Sequence, residues 1–368
     1  MKYLSEYRDP ALARKVIENI KKISHTPVNL MEVCGTHTVT ISKNGIRQVM
    51  PKTVTLLSGP GCPVCVTANE DIDKAIWLAR QPGVILATFG DMMKVPSPYS
   101  SLSAEKAEGV DVRVVYSTLD ALQIADDNPN KKVIFFGVGF ETTSPTIALS
   151  ILEAKKRKLK NYSVLARHKL IPPAMAALLS LGEVKLHGFI CPGHVSTIIG
   201  SKPYEFAAEE HGIPCVISGF EPLDVLQTIY MLVRQAENGE ARVEVQYKRS
   251  VRSEGNTTAL KILDEVFEVC DADWRGIGII PNSGFKLKEE YSDFDADKIF
   301  DVDVPPPKDD PPGCSCGEIL RGVKFPYQCK LFGKACTPER PIGPCMVSSE
   351  GACAAYYRYG TGKALVNR

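Results

Sequence analysis

Residues 58–65 read SGPGCPVC and set two cysteines, Cys62 and Cys65, three apart in a loop stiffened by Pro60 and Pro63. A Cys-x-x-Cys can be half of a zinc site, a redox dithiol or a pair of cluster ligands, and the spacing alone does not choose. Upstream, CGTHT puts Cys34 at the end of an apolar run, with His37 three residues on. The tail is richer: Cys314, Cys316, Cys329, Cys336, Cys345 and Cys353 crowd among Gly and Pro with few large apolar residues between them. Such a segment cannot build an ordinary core, so a metal centre is expected to supply the missing stabilisation. Four thiolates suit zinc or an iron–sulfur cluster, and the spacings among Cys314, Cys329, Cys336 and Cys353 fit no common zinc ribbon. Cys316 and Cys345 are then left beside the metal, an arrangement that can split a two-electron disulfide reduction into single-electron steps.

The elements that must hold these residues follow the pattern of parallel α/β units, short β-rich runs each leading through a loop into a helix. Strands are expected at 28–33, 53–57, 84–89, 112–116, 132–138, 162–166, 187–191 and 214–218. Helices are expected near 38–49, 69–81, 118–127, 145–158, 172–181, 203–211, 222–237 and 256–269. TLLSGPGCPV in the first half resembles GFICPGHVST in the second, each a strand running into a Pro-Gly turn. The expected fold class is α/β: two similar parallel-sheet lobes, 28–130 and 131–238, and a third region of 1–27 with 239–368 that carries the cysteine-rich tail. The acidic, proline-rich stretch DFDADKIFDVDVPPPKDDPPG reads as a linker or wrapping arm.

Ligands of open α/β sheets bind beyond the carboxyl ends of the strands. There the sequence puts Cys34, the Cys62–Cys65 loop, Asp91 of FGDMMKVP, Glu141 of GFETTSP, His194 of CPGHVS and Glu221 of GFEP. Backbone amides at a helix start should favour the thiolate of Cys34. Plainer readings stand beside these: Thr142, Thr143 and Ser144 as helix caps, and His25, His168, His187 and His211 as hydrogen-bonded structural histidines. Gly137 and Gly139 lack the third glycine or Lys of a phosphate loop.

The 368-residue chain carries 44 Lys+Arg against 43 Asp+Glu, so no whole-surface field draws nucleic acid or anionic membrane. The basic run KKRKLK at 155–160 reads as a solvated helix end. No stretch is long and apolar enough to span a bilayer, and the charged start MKYLSEYRDP lacks a signal peptide's apolar core. A cytoplasmic protein is expected, in which twelve cysteines point to metal or redox chemistry and not to a disulfide framework. Cys191, Cys215 and Cys270 read as small buried hydrophobes.

Taken together, CGTHT, GPGCPVC, FGDMMKVP, GFETT, CPGHVS, GFEP and the tail motif from Cys329 to Cys353 resemble the HypD family of nickel–iron hydrogenase maturation proteins, from about residue 30 to the C-terminus. The resemblance implies a cytoplasmic scaffold that pairs with the small chaperone HypC, takes cyanide from HypE and serves the hydrogenase large subunit indirectly. On it the iron of an Fe(CN)2CO moiety is assembled. It implies that Cys34 is the iron-site cysteine and that Cys62 and Cys65 are a redox dithiol. The tail is similar to the cluster region of ferredoxin:thioredoxin reductase. That likeness implies a 4Fe-4S cluster on Cys314, Cys329, Cys336 and Cys353, with Cys316 and Cys345 as the adjacent disulfide-capable pair. His194, Glu141 and Asp91 become candidates to orient ligands or move protons. Lys94 and Ser97 stand where the family pattern has Arg and Gly, so if that loop binds an anion the bidentate contact is lost while a point charge remains. One rival is a cluster-dependent disulfide reductase acting on a partner protein. The other, a zinc-stapled nucleic-acid module, is disfavoured by the near-neutral charge.

Overall fold

A computed structural model of the chain describes residues 5–308 and 310–360; residues 1–4 of the charged start, residue 309 in the arm and residues 361–368 lie outside it. All eight expected strands form: β1 (Val28–Glu32), β2 (Val54–Ser58), β3 (Val84–Phe89), β4 (Val112–Val115), β5 (Lys132–Gly139), β6 (Tyr162–His168), β7 (Gly188–Pro192) and β8 (Cys215–Ser218). A short β9 (Val243–Val245) follows. From Val133 to Gly139 every residue of β5 is buried, the continuous apolar run of a parallel strand covered on both faces. Alternate residues serve opposite faces: Val133 and Phe135 enter one apolar cluster, Ile134 and Phe136 another.

The strands assemble into two parallel sheets, ordered β2-β1-β7-β8-β9 and β4-β3-β5-β6. This corrects the expected division into consecutive lobes. β1 pairs with β7 and β3 pairs with β5, so a boundary at residue 130 cuts through both sheets. Sheet membership is set by pairing across long crossovers, which a run-by-run reading does not see. The N-terminal segment is also reassigned, because the helix Pro10–Ile23 packs on the helix Pro222–Asn238. Its Ile20 is fully buried with Leu30, Leu56 and Leu232, which attaches it to the first sheet and not to a third domain. The largest apolar cluster takes Met31, Phe189 and Ile217 from one sheet and Leu86, Phe136 and Leu165 from the other, so the sheets share a core.

Two helix expectations change. The segment 38–49 is split into Gly35–Lys43 and Ile46–Val49 at Gly45, whose φ of 62° does not continue a helix. The helix expected at 256–269 ends at Val266. Phe267–Trp274 is instead β10, antiparallel to β11 (Gly278–Leu287), and the pairs Phe267–Leu287 and Val269–Phe285 outweigh the local helical pattern. At the hairpin tip Trp274 is fully buried, stacks on Phe140 with ring centroids 6.0 Å apart and donates from Nε1 to Ser283 Oγ at 2.8 Å.

The proline-rich stretch wraps as expected. Tyr99 donates its hydroxyl to the Pro306 carbonyl at 2.8 Å, Asn69 Nδ2 donates to the Lys308 carbonyl at 3.3 Å, and the buried Arg275 pairs with Asp310 at 2.7 Å. Among the described residues no helix is long and apolar enough to cross a membrane.

Candidate metal and thiol site

In the first sheet the chain leaves β1 for β2 on one side and later returns as β7 on the other, so the crevice at the carboxyl end of β1 is a topological switch point. Cys34 stands there, N-capping the helix Gly35–Lys43 with extended backbone, φ −151° and ψ 123°. The GPGCPVC loop closes on it from β2. The Gly35 amide donates to the Gly61 carbonyl at 2.8 Å, and a Cβ on Gly61 would run into the Cys34 backbone. Only glycine fits at 61, which is why the loop reads GPGC. Cys62 then caps the short helix Pro63–Val66, and Cys62 and Cys65 are joined by a disulfide, their Cα atoms 5.2 Å apart.

The β7 side supplies His194. Its ring stacks on Phe220 at 3.8 Å, and Phe220 stacks on His37 at 5.1 Å, so one phenyl ring orders both imidazoles. His37 is buried, with Nε2 paired to the Gly219 carbonyl at 3.0 Å, and burial lowers it to about 4. Glu221 does not join this group; it caps the helix Pro222–Asn238 and pairs with Arg8 at 2.5 Å.

Cys34 departs from expectation in its acidity. The amides of His37 and Thr36 do lower it, but burial outweighs them and pushes the thiol up to about 12, with nearby Glu350 and Glu32 adding to the rise. Short of a bound cation the sulfur is a thiol.

The tail docks onto this end of the sheet. Thr36 donates its hydroxyl to Glu350 Oε1 at 2.7 Å, and Arg47 lies 4.6 Å over the ring of Tyr356. Cys65 Sγ lies 3.9 Å from the Pro344 carbonyl oxygen. All six tail cysteines line one pocket. The Cys316 thiol makes contact with the thiols of both Cys314 and Cys345. Cys336 Sγ accepts the Ile342 amide at 3.3 Å, and a Cβ on Gly343 would come within 2.7 Å of Cys314 Sγ, so that glycine keeps room beside the sulfur. Burial and four neighbouring thiols raise Cys353 well above its ordinary value, a repulsion that bound metal would relieve. Among the described residues no three His, Cys, Asp or Glu side chains converge on a single-ion site. Six thiols lining one pocket, with the Ile342 amide aimed at the Cys336 sulfur, are a donor set that would suit an iron–sulfur cluster better than a single ion.

The remaining candidates lie on the second sheet. Asp91 is exposed after β3. Glu141 is buried after β5, its Oε1 accepting the Ile171 amide at 2.9 Å and its Oε2 unpartnered. Neither stands at the end of β1. His187 Nδ1 accepts the Asn29 amide at 3.0 Å, as a structural histidine should, whereas His168 is buried among Phe267 and Phe285 with neither ring nitrogen bonded. Sequence reasoning missed Glu32 and Glu350. Glu32 carried a usable signal, a lone charge in the apolar run VNLMEV; Glu350, in SSEGAC, carried none without its partner Thr36.

Two sheets sharing a core, a cysteine at a switch point and a docked six-thiol pocket define an α/β protein organised around sulfur chemistry. The family described as Hydrogenase formation hypA family, HypD, has a sequence profile that matches residues 11–360. Hydrogenase maturation factor HypD2 of Bradyrhizobium diazoefficiens is 50% identical over 370 residues, covering 98% of this chain and 97% of the relative. Hydrogenase maturation factor HypD of Cupriavidus necator is 47% identical over 375 residues, covering 99% of each, and that of Rhodobacter capsulatus is 44% identical over 375 residues, covering 99% of this chain and all of its own. The chain belongs to the HypD family of hydrogenase maturation factors.

Proposed function

We propose that this chain is the scaffold on which iron acquires two cyanides and one carbon monoxide before passing towards a hydrogenase large subunit. In this reading Cys34 holds the iron together with a thiol lent by a HypC partner, and HypE delivers cyanide. The observation that supports it most is convergence: Cys34, the Cys62–Cys65 pair and the tail pocket meet at the carboxyl end of β1 and β2. Soft thiolate suits low-valent iron carrying cyanide and carbon monoxide. The charge of the iron(II) ion itself, present before cyanide is added, offsets the cost of ionising the buried Cys34.

Cys314, Cys329, Cys336 and Cys353 would hold a 4Fe-4S cluster, which supplies electrons one at a time when bound. The chain's own step is thiol–disulfide exchange. The Cys345 thiolate attacks Cys65 Sγ, the Cys62–Cys65 bond breaks, and Cys62 leaves as a thiolate that takes a proton. Cys316 then attacks Cys345 and releases Cys65, so two electrons move from one cysteine pair to the other. His194, stacked at the mouth beside Glu350, orients ligands or carries protons there. Asp91 and Glu141, on the other sheet, would act on protons only at a distance.

A reductase serving an outside disulfide, the reading to which the tail alone points, would need Cys316 and Cys345 open to solvent, yet they are 3% and 1% exposed. The test is an anaerobic preparation with HypC. Cys34→Ala should abolish the cyanide and carbonyl infrared bands of the complex, and bands surviving unchanged would reject the role given to Cys34.

A further inference from the structure

We propose that Glu32 is a positioning residue for Cys34: its carboxyl grips the Cys34 amide and the Thr38 hydroxyl at once, and so fixes the direction in which the sulfur leaves the sheet. Glu32 is 0% exposed at the end of β1, where an apolar side chain would avoid the cost of burying a carboxyl. Its Oε2 accepts the Cys34 amide at 3.2 Å and its Oε1 accepts the Thr38 hydroxyl at 2.5 Å. One group therefore ties together the strand end, the cap residue and the first helical turn.

The cap itself explains the need. Ser, Thr, Asp or Asn at an N-cap turns its side chain back onto the helix amides. The amides of Thr36 and His37 face the Cys34 sulfur, but the side chain makes no full cap hydrogen bond, so the cap lacks its usual anchor and the sulfur remains available to a ligand. Glu32 restores the anchor from the strand side. Arg47 completes the support, its charge acting on Glu32 while its Nη2 donates to Ser58 Oγ at 3.3 Å and its guanidinium covers Tyr356. The same carboxyl is thus linked to the tail helix Ala352–Tyr359, which starts beside Cys353.

The use of this positioning in iron assembly rests on the reading of Cys34 given above, so the test has one readout that does not. The full chain is treated anaerobically with iodoacetamide, and the alkylation rate of Cys34 is followed by peptide mass spectrometry. Glu32→Ala should speed Cys34 alkylation by about tenfold, the scale of one lost hydrogen bond to a charged group, with Cys191 unchanged. Glu32→Gln keeps an acceptor oxygen for the Cys34 amide and should stay within about twofold of the parent. Thr38→Val, isosteric and outside the crevice, should accelerate Cys34 by about threefold, and it decides alone if Glu32→Ala fails to fold. In the complex with HypC, Glu32→Ala should lose the diatomic infrared bands and Glu32→Gln should retain them. Parental alkylation rates in Glu32→Ala and Thr38→Val overturn the proposal. Diatomic bands that persist in Cys34→Ala overturn the iron reading instead and leave the alkylation result standing.

Discussion

The sulfur of Cys65 lies 3.9 Å from the carbonyl oxygen of Pro344, the residue before Cys345, although 279 positions separate them in the chain. The contact exists because the short helices Pro63–Val66 and Pro344–Val347 pack against each other. Folding alone therefore brings the loop dithiol beside the tail thiols, and substitutions that move either helix should be felt by both.

Gly351 gives the sharpest lever on that contact, since a Cβ there would collide with the Cys345 carbonyl. Gly351→Ala should cost about 2–4 kcal/mol, the range of backbone clashes in a packed interior. Denaturant unfolding measures it. An unshifted midpoint would mean that the tail backbone yields at this point and that the packing against Pro63–Val66 is loose.

The arm is held by a second lever. Arg275 is nearly fully buried, with Nε 2.8 Å from Asp310 Oδ1 and Nη1 donating to the Pro96 carbonyl at 3.0 Å. Its backbone amide also donates to the Val66 carbonyl at 2.9 Å, which fastens the hairpin tip to the dithiol segment. Asp310→Ala leaves a buried cation unpaired and should cost about 3 kcal/mol. Tryptic cleavage after Lys308 should become faster as the arm detaches. Cleavage at the parental rate would show that Tyr99 and Asn69 hold the arm without the ion pair.

How much of this was legible beforehand differs by scale. Eight of the nine parallel strands could be read because each is a short apolar run ending in a turn, a local property; the half-buried β9, VEV, could not. Sheet order could not, since pairing β1 with β7 depends on crossovers more than a hundred residues long in sequence. The site divides the same way. Cys34, Cys62 and Cys65 announced themselves by type and spacing, and β1–β2 pairing brought them together. Asp91 and Glu141 shared the strand-end signal but belong to the other sheet. The acidity of Cys34 was misjudged because the helix start was legible and the depth of burial was not. Glu350 escaped because its meaning lies in a partner, Thr36, 314 positions away.

Glu141 makes stability depend on pH. Burial raises it from an ordinary 4.5 to about 7, against the hydrogen bonds of its own amide and that of Ile171. In that window the folded chain holds a proton the unfolded chain has released. The contribution is therefore complete below the unfolded value and is lost as pH rises through the folded one. Glu141→Gln cannot ionise, so it should flatten the fall in melting temperature between about pH 5 and 8 and gain roughly 1–3 kcal/mol over the parent at the upper end. Glu32 shifts in the same direction and leaves a residual slope. A parental slope in Glu141→Gln would show that water reaches the Glu141 carboxyl.

The tail cysteines should separate into two classes. In the proposed reading Cys353→Ser removes a cluster ligand, so anaerobically purified protein should lose its brown absorbance and its iron, and the tail should lose the stability that metal supplies. Cys316→Ser should keep both, because its thiol bridges Cys314 and Cys345 without being required as a ligand. What Cys316→Ser should lose is the second exchange step. With no thiol to resolve Cys345, the Cys62–Cys65 disulfide should persist, or be trapped as a Cys345–Cys65 mixed disulfide, after a reductant is added that the parent uses to open it. Differential alkylation followed by peptide mass spectrometry distinguishes these states. If Cys316→Ser bleaches while Cys353→Ser stays brown, the assignment of ligand and exchange roles among the six cysteines has to be inverted.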